Sequence, residues 1–267
     1  MKSGEIGTLL RQWRTTRRLS QLDLALEAEI SSRHLSFVET GRAQPSREMV
    51  LRLAETLEIP LRERNTLLVA AGFAPRYVET ELTAPAMAQV RSAIDLILAH
   101  QEPFPAFVLD RYWEIRMTNQ AAMRCTRFLL GREPAELNMQ RLLLAPEGLR
   151  SVLVNWEELA GDLIRHLHTQ VAATPSDDRA RALLQEVLSY PGIPATWRTR
   201  DLSAPTTPLL TTHFRKGDVE LTFFSTLTRF GTPNDVALED LRIECSFPAD
   251  AATAGACRRL FAQSPDR

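Results

Sequence analysis

Between Ser20 and Arg47 the sequence reads SQLDLALEAEISSRHLSFVETGRAQPSR. Ser32, Arg33 and Ser36, with Phe37 beside them, recur at the spacing that brings side chains to one side of a helix. Small hydroxyls and a guanidinium near the start of a helix suit major-groove base edges, where arginine pairs with two acceptors of guanine. Gln21 upstream is expected to face DNA with them, and Arg42, Ser46 and Arg47 downstream are suited to phosphates or groove edges. A second group, Trp113, Met117, Trp197, Leu221 and Phe223, is apolar and aromatic and could line a pocket for an apolar molecule, with Arg141 as the cation for an acidic head group. The same side chains serve equally well as plain core, and Arg141 as the partner of a nearby acid or carbonyl. Other chemistry finds no pattern. His166 and His168 are two apart on an expected helix and so point to different faces. Cys125, Cys245 and Cys257 are widely spaced and odd in number, with neither metal-site nor disulfide spacing. No nucleophile elbow, phosphate loop, dinucleotide fingerprint or zinc-helix motif occurs. No catalytic residue, metal or cofactor is expected.

The first set needs elements to hold it. Ser20 with Asp23 makes a capping-box pair opening a helix whose Leu24, Ala25 and Ala28 share a face. Ile30 sits in a break, Ser31 opens a second helix with Leu35 and Val38 inward, and Gly41 ends it. Two short helices joined by a tight turn, the second polar outside, form a helix-turn-helix, although capped helices alone also fit a plain helical hairpin. Residues 5–18 precede it as a helix with Ile6, Leu9, Leu10 and Trp13 on one face. Arg14, Arg17 and Arg18 at its end suit either the helix dipole or phosphates. Met49, Val50, Leu53, Ala54 and Leu57 mark a fourth helix, and residues 61–71 a fifth.

This stretch resembles the helix-turn-helix of phage-repressor-like (XRE-family) transcription regulators. The resemblance rests on Ser20-Gln21, Leu24-Ala25, Ile30-Ser31, Leu35-Ser36, Glu39-x-Gly41-Arg42 and Pro45-Ser46. Glu29 stands where that family usually has glycine, and left-handed backbone there costs a non-glycine residue about 1 kcal/mol. LRERNTLLVAAGFAP resembles the end of the head in MmyB-like regulators. Pro105, Asp110, Trp113, Asn119, Asn138-x-x-Arg141, Trp197, His213 and Gly217 match the second domain of that family, with Phe214 where proline is usual. The resemblance implies a DNA-binding head followed by a PAS-like ligand-binding domain, and a fatty-acid-like ligand.

The 267 residues are 44% hydrophobic and 24% charged, a globular profile long enough for two domains. No apolar run approaches the roughly 18 residues of a membrane span, and the N-terminus lacks the core of a signal peptide, so a cytoplasmic protein without membrane insertion is expected. The net charge of −1 is uneven: residues 1–76 carry 12 Lys and Arg against 9 Asp and Glu, and the rest 20 against 24. That is the sign expected of a head for double-stranded DNA on an acidic body. We expect an all-α head of about five helices over residues 1–74, a linker over 75–86, an α+β PAS-like domain with an antiparallel sheet over 87–250, and a flexible tail over 251–267. In the second domain a helix runs over 88–101, short strands over 106–109 and 113–117, and a long amphipathic helix over 149–171. Another helix follows at 178–189. Strands follow at 209–214, at 219–228 and around Leu241 to Phe247, where residues alternate between apolar and polar. A head this small suggests a homodimer on a pseudo-palindromic operator. A ligand-independent dimerisation or protein-interaction module is the alternative for the second domain.

Overall fold

A computed structural model describes residues 4–174, 177–199, 209–231 and 233–261. The chain forms two compact units, residues 1–84 with 230–239, and residues 85–229 with 240–267.

The first unit is built on five helices: α1 (Gly4–Thr16), α2 (Gln21–Glu27), α3 (Ser32–Glu39), α4 (Arg47–Thr56) and α5 (Leu61–Ala70). Side-chain caps start three of them. Ser20 and Asp23 close a reciprocal capping box on α2, and Ser31 and Ser46 cap α3 and α4. Gly41 and Gly72 lie past the ends of α3 and α5 with φ of 73° and 85°, the left-handed exit that glycine permits. Glu29 does have left-handed backbone, φ 53°, in the turn between α2 and α3. Leu10, Leu24, Leu35, Val38, Val50, Leu53, Leu57 and Leu68 are fully buried in one core.

Residues 72–84 belong to this unit. Asn65 holds them, its Oδ1 accepting from the backbone of Arg76 at 2.9 Å and Tyr77 at 3.0 Å. The segment 230–239 also belongs to it. Asp235 accepts from the amide of Thr80 at 3.1 Å, and the amide of Val236 donates to Val78 O at 2.9 Å. Helix α5 opens on Pro60, which has no side-chain cap. Its Leu61 amide instead donates to Glu239 Oε2 at 2.7 Å, a carboxylate at a helix N-terminus.

The second unit begins with α6 (Ala88–Gln101), β1 (Ala106–Leu109), β2 (Ile115–Thr118), α7 (Gln120–Leu130), α8 (Met139–Leu144), α9 (Trp156–Ala173) and α10 (Asp178–Leu188). It continues with β3 (Thr211–Lys216) and β4 (Val219–Thr228). After the segment that belongs to the first unit, whose short α11 (Val236–Asp240) ends at the return, come β5 (Arg242–Pro248) and α12 (Ala251–Leu260). The five strands form one antiparallel sheet in the order β2-β1-β5-β4-β3. With its helices this is the α+β, PAS-like architecture. Asn119 joins three elements: it caps α7, its Oδ1 accepts from Ala106 N at 3.0 Å, and its Nδ2 donates to Phe104 O at 2.8 Å.

Two expectations are corrected. The run 149–171 is not one helix. A 3-10 turn over Leu149–Val152 precedes α9, and between them the chain pairs with β3. Val154 N donates to His213 O at 2.8 Å, and His213 N donates to Asn155 Oδ1 at 3.0 Å. The helical periodicity is broken because these residues complete the hydrogen bonds of an edge strand. Nor do residues 251–261 form a loose tail. Asp250 caps α12, and Ala256, Cys257 and Phe261 are buried in the main core, Phe261 edge-on to Phe128 at 6.2 Å. A short amphipathic helix closes a core when its apolar residues recur at four-residue spacing.

Candidate DNA-binding face and ligand cavity

Helix α3 has two sides. Leu35, Val38 and Glu39 are buried, Ser32 and Arg33 are exposed, and Ser36 and Phe37 are half-buried. The Arg33 guanidinium lies 5.5 Å from the centre of the Phe37 ring, which restrains a flexible cation at modest cost. Arg42, Ser46 and Arg47 are exposed past the end of α3. The hydroxyl of Ser46 is occupied as a cap, accepting from Met49 N at 3.2 Å.

What aims this face is a buried carboxylate. The Glu39 side chain is fully buried. It accepts from Arg14 Nε at 2.7 Å and Nη2 at 2.9 Å, and from Gln21 Nε2 at 2.8 Å, with Arg11 at 3.5 Å. Burial alone would push its pKa up, but these donors outweigh it and hold the carboxyl below its ordinary value. The clamp ties α1, α2 and α3 at one point. It gives Gln21 a partner inside the protein, and engages Arg14, which stands in the last turn of α1, with Glu39. Arg17 donates to Leu57 O at 2.9 Å and Glu58 O at 3.0 Å, closing the end of α4. Gly7 lets α1 approach α3, since a Cβ there would stand 2.5 Å from Val38 O and 2.7 Å from Glu39 O.

In the second unit, a narrow cavity of about 60 Å³ lies between the sheet and helices α7 and α8. Phe107, Phe214 and Phe223 line it from the strands, and Leu129, Met139, Leu142 and Leu143 from the helices, with Leu149 beside them. Among the described residues its polar lining is Thr126, Thr212, Ser225, Ser246 and one charged group, Glu244.

Of the six residues considered for the ligand, Phe223 lines this cavity. Leu221 is buried in the core beside it. Trp113 is buried with φ 66°, and its Nε1 donates to Gln170 Oε1 at 3.3 Å. Met117 pairs with Val108, one residue on from the cavity-lining Phe107, so strand alternation puts it on the other face of the sheet. Trp197 packs against Trp156, ring centres 6.3 Å apart. Arg141 donates to both oxygens of Glu186, at 2.8 and 3.0 Å, in a separate groove with Tyr190. That ion pair raises the pKa of Arg141 and lowers that of Glu186. Burial and the adjacent Glu186 acceptor push the Tyr190 phenol above its ordinary value. Asn138 caps α8 and donates to Tyr112 O at 2.8 Å, so the Asn138-x-x-Arg141 motif fixes a helix start and an ion pair.

Glu244 is the cavity residue that alternation alone passes over. With Leu241, Ile243, Cys245 and Phe247 read as the apolar side of the strand, Arg242, Glu244 and Ser246 fall on the other side. At the cavity that side is covered by α7 and α8, while Ser225 and Leu227 stay exposed. The available signal is Phe223 and Ser225 on β4, which pair with Pro248 and Ser246 and put the same face inward.

Among the described residues, no helix is long and apolar enough to cross a membrane, and no group of three or more His, Cys, Asp or Glu could hold a metal ion. Comparison with curated proteins finds no match. Among solved structures, the one titled "Structure of an RNA-binding Light-Oxygen-Voltage Receptor" is 15% identical, with a TM-score of 0.29, over 96% of this chain and 61% of that one. The chain thus spans about three fifths of that protein's length. Residues 5–67 match the helix-turn-helix domain family. Residues 90–260 match the ligand binding domain of MmyB-like transcription regulators. With a helix-turn-helix head and that domain over most of its length, the chain belongs to the MmyB-like transcription regulators.

Proposed function

We propose that this DNA-binding transcription regulator acts in the cytoplasm as a homodimer on a pseudo-palindromic operator. In this reading α3 enters the major groove, with Ser32, Arg33 and Ser36 at base edges and Phe37 packed beside them. Gln21 faces the DNA with them, and Arg42, Ser46 and Arg47 serve phosphates or groove edges. The observation that carries the reading is the division of α3. One side is locked by the buried Glu39 clamp, and the other presents an exposed cation and hydroxyls. A single head offers few base contacts, so specificity calls for two half-sites about one turn apart. The second domain binds a small apolar molecule with a fatty-acid-like chain between its sheet and α7 and α8, and occupancy changes DNA affinity by biasing the geometry of the two heads.

The experiment is operator selection from random-sequence DNA, followed by two variants on the selected site. Arg33→Ala should cost about 1–3 kcal/mol and relax preference at one base pair. Arg42→Ala should weaken all sequences alike and flatten the salt dependence. Unchanged affinity in both would overturn this docking. The narrowness of the cavity favours a second reading, in which the domain is a packed dimerisation or interaction module. Retention of the dimer with no ligand effect on DNA binding would support it.

A further inference from the structure

We propose that Glu244 sets the head-group preference of the cavity: it receives a hydrogen-bond donor, an alcohol or an ammonium, and disfavours a carboxylate. The inference rests on the ligand-sensing reading above and names the chemical class of that ligand.

The geometry is that of an apolar slot with one acidic anchor. Glu244 sits mid-strand in β5, opposite Phe107 of β1 and Leu227 of β4. Neither cross-strand neighbour is a cation. Among the described lining residues Glu244 is the one charged group, and the remaining polar lining consists of hydroxyls. Ser225 and Ser246 stand beside it on the same face, their oxygens 3.4 Å apart. Two cations could be thought to serve an acidic ligand instead. Arg141 is engaged with Glu186 in another groove. Arg242, two residues before Glu244, is held over the Trp113 ring at 5.1 Å and does not line the cavity.

Glu244 is half-buried, with Ser225 and Leu227 exposed beside it, so its carboxyl stands at the mouth of the slot. Burial raises its pKa, opposed by the Ser225 hydroxyl. An alcohol can donate to it, and an ammonium can both donate and pair with its charge. A second carboxylate would either face a like charge or have to share a proton with it, as paired carboxylates do. The cavity as it stands holds a few waters at most, so a ligand has to part α7 and α8 from the sheet. The hydrocarbon chain supplies the free energy for that at about 25 cal/mol per Å² of apolar surface buried. The head group then decides between chains of equal length.

The test uses the full chain and three ten-carbon probes: decanoate, 1-decanol and decylamine, titrated at pH 8. Decanol and decylamine should bind at least about tenfold more tightly than decanoate, the discrimination that one unit of pKa perturbation represents. In Glu244→Gln the order should collapse, the roughly tenfold gap between decanoate and the other two probes closing. Cys125 lines the same cavity, so bound decanol should slow its modification by a small thiol reagent. Equal binding of the three probes, or an unchanged order in Glu244→Gln, would overturn the proposal and leave the sensor reading standing. No binding by any probe would remove both. Should Glu244→Gln not fold, the order on the unaltered protein decides alone.

Discussion

Replacing Arg14 by methionine tests whether the Glu39 clamp sets the position of α3. The Arg14 side chain is 14% exposed and that of Glu39 fully buried. The change removes the two short guanidinium contacts and leaves a buried carboxylate with the amide of Gln21 and the longer Arg11 contact. Breaking a buried ion pair by removing one partner costs about 3–5 kcal/mol. The surviving Gln21 donor and the partial exposure of Arg14 place this case near the lower figure, about 3 kcal/mol. For a domain the size of the head, each kcal/mol shifts Tm by about 4–8 °C, so the first unit should melt about 12–24 °C lower. Circular dichroism follows the melt, and hydrogen exchange of amides in α1 to α3 assigns it to the head.

The double-mutant cycle separates pairing from packing. Glu39→Leu leaves Arg14 with some access to water and should cost less, about 1–2 kcal/mol. Arg14→Met combined with Glu39→Leu removes both charges, so it should resemble Glu39→Leu alone, a coupling of about 3 kcal/mol. Additivity within about 0.5 kcal/mol would refute the clamp. The pH dependence has a fixed sign. Glu39 is held below its ordinary pKa in the folded state. Its contribution is therefore present above the unfolded value, about 4.3, and is lost as pH falls through the folded one. The gap between the unaltered protein and Arg14→Met should narrow below about pH 4.

Gly7→Ala should destabilise the head by about 1–3 kcal/mol, because its methyl would meet the carbonyls of Val38 and Glu39, and a urea melt measures this. Glu239→Ala should cost about 1 kcal/mol in the first unit by leaving the Leu61 amide uncapped. Glu239→Gln, which keeps an acceptor, should cost less, and melts of both variants give the comparison. Glu244 is raised in the folded state, so the unaltered protein loses stability as pH rises from the unfolded value through the folded one. The stability of Glu244→Gln relative to it should therefore increase between pH 4 and pH 8, by about 1.4 kcal/mol for each unit of raised pKa. A flat difference would place the carboxyl in water.

Much of the head was legible because its signals are local. Ser20, Ser31 and Ser46 each cap a helix within three residues of themselves, and Gly41 marks an exit one residue past its helix cap. Arg14 was not legible, because its partner lies 25 residues away. The trace it leaves is an acid on a stripe otherwise made of Leu35 and Val38, a charge on the wrong side of an amphipathic helix. Glu239 as the cap of α5 is further still, 178 residues from Leu61. In the second unit the period-two pattern located β4 and β5 but could not say how many faces were covered. Alternation separates two sides of a strand, and here the side that carries Glu244 is covered by helices at the cavity yet exposed at Ser225 and Leu227. A polar residue on such a strand borders a cavity or has a partner, and Glu244 does the former.

That sheet also bears on how occupancy could reach the head. Phe223 and Ser225 on β4, and Glu244 and Ser246 on β5, line the cavity. The connection between these strands contains residues 230–239, which belong to the first unit. There Asp235 is bonded to Thr80, Val236 to Val78, and Glu239 to the first turn of α5. In the proposed reading, a ligand that parts the helices from the sheet would act on the two strands joined by this segment of the first unit. Coupling needs an element whose equilibrium both sites bias. The β4–β5 connection has the covalent continuity for that role. The chain from Gly72 to Ala84 has a weaker claim, since it is tied within the head through Asn65 and leads on to α6, which contributes no residue to the cavity lining.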